Sequence, residues 1–167
     1  MTKEDMSFDG YRPGAIAQML TLHMDYYGRK WCFGRKFETY CAGGMAEFFE
    51  NFDEETCFFL AARTAEGDMR GCIVIDGRKA QGSGAQLRWF IVDPKAHGAG
   101  IGRYLLEQAM TFCREKCFGN VFLTTFAGLD ASRKLYESVG FQLAEEKQGD
   151  PWTGDKGELI FLWKNHC

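Results

Sequence analysis

The chemistry in this chain starts with three glycines and the strand-like run in front of them. In the segment 87–102, LRWFIVDPKAHGAGIG, the apolar residues Leu87, Trp89, Phe90, Ile91 and Val92 read as a strand covered on both faces. The run stops at Asp93-Pro94, because proline has no amide hydrogen to give a ladder. Gly98, Gly100 and Gly102 then alternate directly into the segment 103–110, RYLLEQAM, whose apolar positions have helical spacing. A glycine loop at a helix start aims unpaired amides in one direction. Together with the positive end of the helix dipole they form a seat for an anion such as a phosphate, and glycine lets that anion approach the backbone. A plain strand-to-helix turn accounts for alternating glycines about as well. The dinucleotide fingerprint is incomplete, since the final x-x-Gly step is missing, and no lysine follows as in a P-loop.

Bulk properties narrow the setting in which such a loop works. The 167 residues, 46% hydrophobic and 26% charged, predict a single domain over 1–167 with a sizeable core. A net charge of −3 gives no general attraction for nucleic acid or an anionic membrane. No apolar run approaches the roughly 18 residues of a membrane span, and the N-terminus lacks a signal-peptide core. The seven cysteines are odd in number, scattered and without C-x-x-C spacing, which predicts reduced thiols in a cytoplasm, mostly buried, and no metal site. Cys113 and Cys117, four apart, are placed to touch across one helical turn.

Periodicity then orders the elements. A short strand at Phe8–Arg12 precedes helices from Ala15 to near Gly28 and from Lys36 to Phe49. Strands follow at Thr56–Arg63 and Met69–Asp76, then a solvated loop at Gly77–Gly84 before the central strand. A helix over 101–117, a strand over Asn120–Phe126, a helix over 130–139 and strands near 141–145 and 158–163 complete the chain.

The order of VDPxxHGAGIGxxLL, a strand, and a short helix ending LYESVGF resembles the GCN5-related N-acetyltransferase (GNAT) superfamily. His97-Gly98-Ala99-Gly100-Ile101-Gly102 falls on the family's Arg/Gln-x-x-Gly-x-Gly/Ala motif, with His97 in the place of arginine or glutamine. The likeness covers the whole chain. It implies an α/β (α+β) fold, a mixed, mostly antiparallel central sheet of about six or seven strands flanked by about four helices. The aromatic spacing His23-x-x-x-Tyr27-x-x-x-Trp31-x-Phe33-x-x-x-Phe37-Glu38 and the run from Leu129 to Tyr136 are similar to the acetyltransferase half of proteins that carry a MarR-like repressor in front.

What this resemblance implies is transfer of an acetyl group from acetyl-CoA, as co-substrate, to an amine: a small amine, an amino acid or a lysine side chain. The pyrophosphate of CoA is expected on the amides from His97 and Gly98 to Arg103, and its pantetheine arm along the backbone of Phe90, Ile91 and Val92 like an added strand. Arg133 is expected near a CoA phosphate. Tyr136 matches the family's general acid: a phenol with an ordinary pKa near 10 stays protonated at neutral pH and donates to the departing thiolate. His23, Tyr27 and Trp31 are expected at the acceptor, His23 with a pKa suited to base work.

Three family positions differ. Leu129 stands where many members have asparagine, Phe126 where repressor-fused relatives have another, and Gln86 and Arg88 where several members carry a catalytic glutamate. No general base is assigned, and a homodimer is compatible with the sequence. A sensor of acyl-CoA without turnover, built on the same fold, is the second reading. A dinucleotide-binding oxidoreductase ranks third, since no acidic residue is placed to hold a ribose.

Overall fold

The computed structural model describes residues 1–167. The chain runs β1 (Ser7–Asp9), α1 (Ala15–His23), α2 (Arg35–Glu50), β2 (Cys57–Arg63), β3 (Met69–Asp76), β4 (Ala85–Val92), α3 (Ile101–Glu115), β5 (Asn120–Phe126), α4 (Asp130–Ser138), β6 (Gln142–Lys147) and β7 (Glu158–Lys164). The strands form one sheet in the order β1-β2-β3-β4-β5-β7-β6. Every neighbouring pair is antiparallel except β4 and β5. The mixed, mostly antiparallel sheet with four helices agrees with the architecture expected from the sequence.

Alternation along the strands divides the interior in two, because successive side chains of a strand point to opposite faces. Ala62, Ile73, Ile75, Leu87 and Leu123 join Ile101, Leu105, Leu106 and Ala109 of α3 and Tyr136 of α4 in one core. Phe59, Ala61, Cys72 and Val74 join Met19 of α1 and Phe37, Cys41, Met45 and Phe48 of α2 in the other. The α2 set recurs at intervals of three and four, the stripe that lets a helix bury one face.

Several expected boundaries move for identifiable reasons. The first strand is Ser7–Asp9, not Phe8–Arg12: Asp9 turns to pair with Arg63 at 2.9 Å and with Arg12, which takes the latter out of the ladder. The first helix reaches Gly28 only by widening into a π turn at Met24–Gly28, and Cys32, with a positive φ of 56°, folds the chain back so that the Phe33 amide donates to the Tyr27 carbonyl. Cys113 is buried, but Cys117 lies past the end of α3 with φ 50° and is exposed, so its sulfur neighbour is Cys167 at 3.5 Å. Cys32 and Cys167 are exposed too, which corrects the expectation of buried thiols at those three positions.

One irregularity shapes the sheet. Cys72 pairs with Ile91 but Val74 pairs with Arg88, so two residues of β4, Trp89 and Phe90, face the single Ile73 of β3. That is a β-bulge, and Trp89 sits in it with φ 46°, a conformation rare outside glycine. Gly44 of α2 accommodates it: a Cβ there would stand 3.0 Å from both Arg88 Nη2 and the Trp89 ring.

Candidate active site

The bulge bends β4 away from its neighbour. β4 and β5 pair only at Ala85 with Val121 and Gln86 with Phe122, and beyond that point the two parallel strands part. A fork opens in the sheet, with the β5-facing edge of β4 free of strand partners. Such an edge accepts an extended chain through backbone hydrogen bonds.

On one side of the fork a cleft of about 470 Å³ is lined by Phe90, Ile91, Val92, His97, Gly98, Gly100, Ile101, Gly102, Arg103 and the start of α4. Gly98 and Gly100 have φ of 80° and 76°, and a Cβ on either would meet nothing within 4 Å. The backbone therefore turns left-handed here and faces open space. Gly100 caps α3 without a side-chain hydrogen bond, and the first turn of α3 carries no acidic residue. The first α3 amides are thus left for an outside acceptor, with the helix dipole behind them. Gly102 differs: a Cβ there would meet Leu135, Val92 and Phe90 at 3.5–3.6 Å, so this position faces packed side chains and not open space.

Other sequence candidates for this cleft are placed as follows. His97 Nε2 is 3.0 Å from the Val92 carbonyl, a contact that ties the loop to the end of β4. Ala99 lies on the outer side of the loop, beside Lys3 and Tyr104, rather than on the cleft wall. Arg133 is turned from the cleft: its Nε donates to Glu137 at 3.0 Å and its guanidinium lies over Phe161. Leu129 does line it.

On the other side a cavity of about 330 Å³ is lined by His23, Tyr27, Phe37, Tyr40, Cys41, Gln86, Arg88, Thr124, Thr125, Tyr136, Trp152 and Glu158, among others. Tyr27 and Phe90 belong to both walls, so the two spaces meet there. Tyr136 stands at this junction. It is 5% exposed, with its ring 5.9 Å from that of Phe90, and burial together with the nearby Tyr27 pushes its phenol above the ordinary range. It keeps its proton across all working pH and is suited to donate rather than accept. Tyr27, likewise raised by burial, is clasped by Phe33, Phe37 and Phe126.

His23 is 4% exposed, and its Nδ1 is 2.7 Å from the Met19 carbonyl. A carbonyl only accepts, so Nδ1 carries the proton and Nε2 bears a lone pair. Burial pushes the imidazole down to about 4, so it is neutral at pH 7 and a weak base. Trp31 is absent from the cavity wall: it packs one layer behind, against Tyr27 and Phe126.

Sequence reasoning missed two features of this cavity. Glu158 is the sole carboxylate on its wall, delivered by β7 through the pairing of Phe126 with Glu158. A lid comes from the connection between β6 and β7. There Asp150, itself buried, accepts from the amides of Trp152, Thr153 and Lys156 and from the Thr153 hydroxyl. Burial opposes ionisation of its carboxyl, but these donors outweigh it and hold the group well below the usual carboxylate range. The knot sets Trp152 against Phe37 and Tyr40, at 5.4 and 4.8 Å between rings. The signal for it in the sequence is the Asp-Pro-Trp-Thr-Gly run at 150–154.

The model of the acetyltransferase (GNAT) family matches residues 16–141. This chain belongs to the GNAT family. It is 47% identical over 51 residues to the N-alpha-acetyltransferase RimI of Mycobacterium tuberculosis, 30% of each chain, and 31% identical over 87 residues to the N-acetylaspartate synthetase of Xenopus tropicalis, 52% of this chain and 31% of that one. The matched stretches thus span about a third of those curated relatives. In fold this GNAT chain is similar to a chain of the NatC complex solved bound to Gag peptide and CoA, with a TM-score of 0.75 at 15% identity over 96% of this chain and 99% of that one.

Proposed function

We propose that this GNAT protein moves the acetyl group of acetyl-CoA to a primary amine by direct attack. One observation carries the reading: a cleft ending in free helix amides and a cavity ending under a lid meet at Tyr27 and Phe90, with Tyr136 at the junction. Acetyl-CoA, which supplies an activated thioester when bound, fits the cleft, pyrophosphate on Gly98 to Arg103 and pantetheine along Phe90, Ile91 and Val92. A neutral amine entering from the cavity side attacks the thioester carbonyl, and holding the two partners together is the larger part of the catalysis.

The proton inventory fits this scheme. Tyr136 donates to the leaving sulfur. Glu158 is the carboxylate available to draw off the amine proton, directly or through water, and His23, with a pKa of about 4, orients the amine through its Nε2 lone pair instead of taking the proton. Cys41 lines the same cavity, but burial pushes its thiol up to about 12. At neutral pH it holds a negligible fraction of thiolate, on the order of one part in 10⁵, which disfavours an acetyl-cysteine intermediate.

The names of the relatives divide the acceptor between a protein α-amine and aspartate. The aromatic first helices, similar to the acetyltransferase half of MarR-fused proteins, belong to the same proposal, as does a cytoplasmic setting, which fits seven free cysteines of which three are exposed. The test incubates the protein with acetyl-CoA and a panel of amines while recording free thiol. Thiol release that requires an amine supports the transfer. CoA binding with no amine-dependent release would make the protein an acyl-CoA sensor.

A further inference from the structure

We propose that Arg88 makes the acceptor cavity a receptor for a carboxylate, so that the acceptor is a small amino acid held by its acid group while its amine meets the thioester. The inference rests on the acetyl-transfer reading above. Arg88 is the one cationic side chain on the cavity wall, and its side chain is 18% exposed. Its ion pair within the protein is weak, 3.5 Å from Nη1 to Asp76 Oδ2. Asp76 is already held by Arg78, at 2.9 Å through Oδ1 and 2.6 Å through Oδ2, and Arg78 also grips both oxygens of Glu47, at 2.6 and 2.9 Å. The strong contacts of both carboxylates therefore go to Arg78. Arg88 keeps most of its fork of donors for another partner, and a planar guanidinium suits a carboxylate in bidentate geometry.

The surroundings hold that fork in place. The Arg88 guanidinium lies 4.0 Å from the centroid of the Trp89 ring, a stack that leaves its edge for hydrogen bonds. The β-bulge puts Arg88 and Trp89 next to α2, and Gly44 leaves room for both. Gln86, Thr124 and Thr125 add neutral hydrogen-bonding groups to the same wall. Arg88 and Phe90 flank the bulged Trp89 and both line the cavity wall, so a carboxylate held by Arg88 lies on the same wall as the residue where the two spaces meet. At the outer end Trp152 spans from the β6–β7 connection to Phe37 and Tyr40 on α2, across the path that an extended peptide would take out of the cavity. A cavity of about 330 Å³ under that lid fits a free amino acid better than a chain.

The test has a binding arm and a transfer arm. Full-length protein saturated with CoA is titrated by calorimetry with each of the common amino acids and with its carboxamide. At least one acid should bind tenfold or more tighter than its amide. Arg88→Met should erase that difference, Arg88→Lys should keep part of it, and unchanged CoA affinity in both variants shows that they fold. Amides that bind as well as acids throughout, no binding by any acid, or an acid preference that survives Arg88→Met would each overturn the inference. In the transfer arm, amine-dependent thiol release indifferent to the carboxylate would overturn it while leaving acetyl transfer standing. Acid-selective binding without thiol release would instead support the receptor and remove the transferase.

Discussion

Tyr136 separates packing from chemistry most cleanly among single residues. Its ring contacts Phe90, Phe141 and Phe161, so Tyr136→Phe keeps the buried surface and deletes only the hydroxyl. Folding and acetyl-CoA affinity should survive while kcat falls about tenfold or more, at or below the roughly hundredfold low end of acid catalysis because a thiolate is already a fair leaving group. Steady-state kinetics beside a CoA titration check it, and equal kcat in both proteins across pH would reduce Tyr136 to a packing residue. His23 makes a prediction about stability. Its folded pKa of about 4 lies below the ordinary 6.5 of an imidazole, so the unfolded chain takes up a proton first as pH falls. Its contribution is unaffected above pH 6.5 and turns against the fold between about 6.5 and 4, at up to about 1.4 kcal/mol per pH unit. Denaturant titrations at several pH values should find His23→Gln less acid-labile over that window than the parent. Identical pH profiles would mean that the imidazole protonates in place.

In the proposed reaction the glycine loop holds CoA and the lid covers the amine acceptor. Gly100→Glu puts a charged side chain into the open space in front of α3, at a φ of 76° that L residues adopt at a cost of about 1–2 kcal/mol. Melting curves should show a modest loss in the apo protein and no stabilisation by CoA. A full CoA shift in that variant would move the cofactor elsewhere. Trp152→Ala opens the lid without touching the glycine loop, so the acceptor KM should rise several-fold while the KM for acetyl-CoA stays put. Equal increases in both would place Trp152 in general packing. The loop was legible in the sequence because its signal is local: a strand-ending proline, the glycines and the helical spacing all lie within residues 87–110. Glu158 and Trp152 were not, since they reach the cavity only through the pairing of β7 with β5 and the Asp150 knot. Arg133 and Trp31 show the same limit from the other side. Motif spacing put them at the site, but Glu137 holds the one and the aromatic cluster at Tyr27 absorbs the other.

At the scale of the whole molecule, two cores on opposite faces of one sheet do different work. The α3/α4 core supports the cofactor cleft, and the α1/α2 core supports the acceptor cavity. The sheet between them is open where β4 leaves β5, and in the proposed reaction the acetyl group and the amine meet through that gap. Element order was readable because period-two and helical patterns are written residue by residue, whereas the fold class came with the family resemblance. The fork is not written in those patterns and was expected only through the resemblance, as a strand-like arm along Phe90 to Val92, because it depends on the register of β3 against β4 and on one left-handed tryptophan. The account stands on direct passage of the acetyl group through that gap. A single turnover tests it: enzyme in excess over acetyl-CoA labelled in the acetyl carbon is mixed with an acceptor from the amine panel, quenched on the millisecond scale, and the label assigned. The label should pass from CoA to the amine nitrogen with no protein-bound acetyl at any time, at a rate that falls in Tyr136→Phe. Label on the protein, on Cys41 above all, or loss from CoA at the same rate without amine, would contradict it.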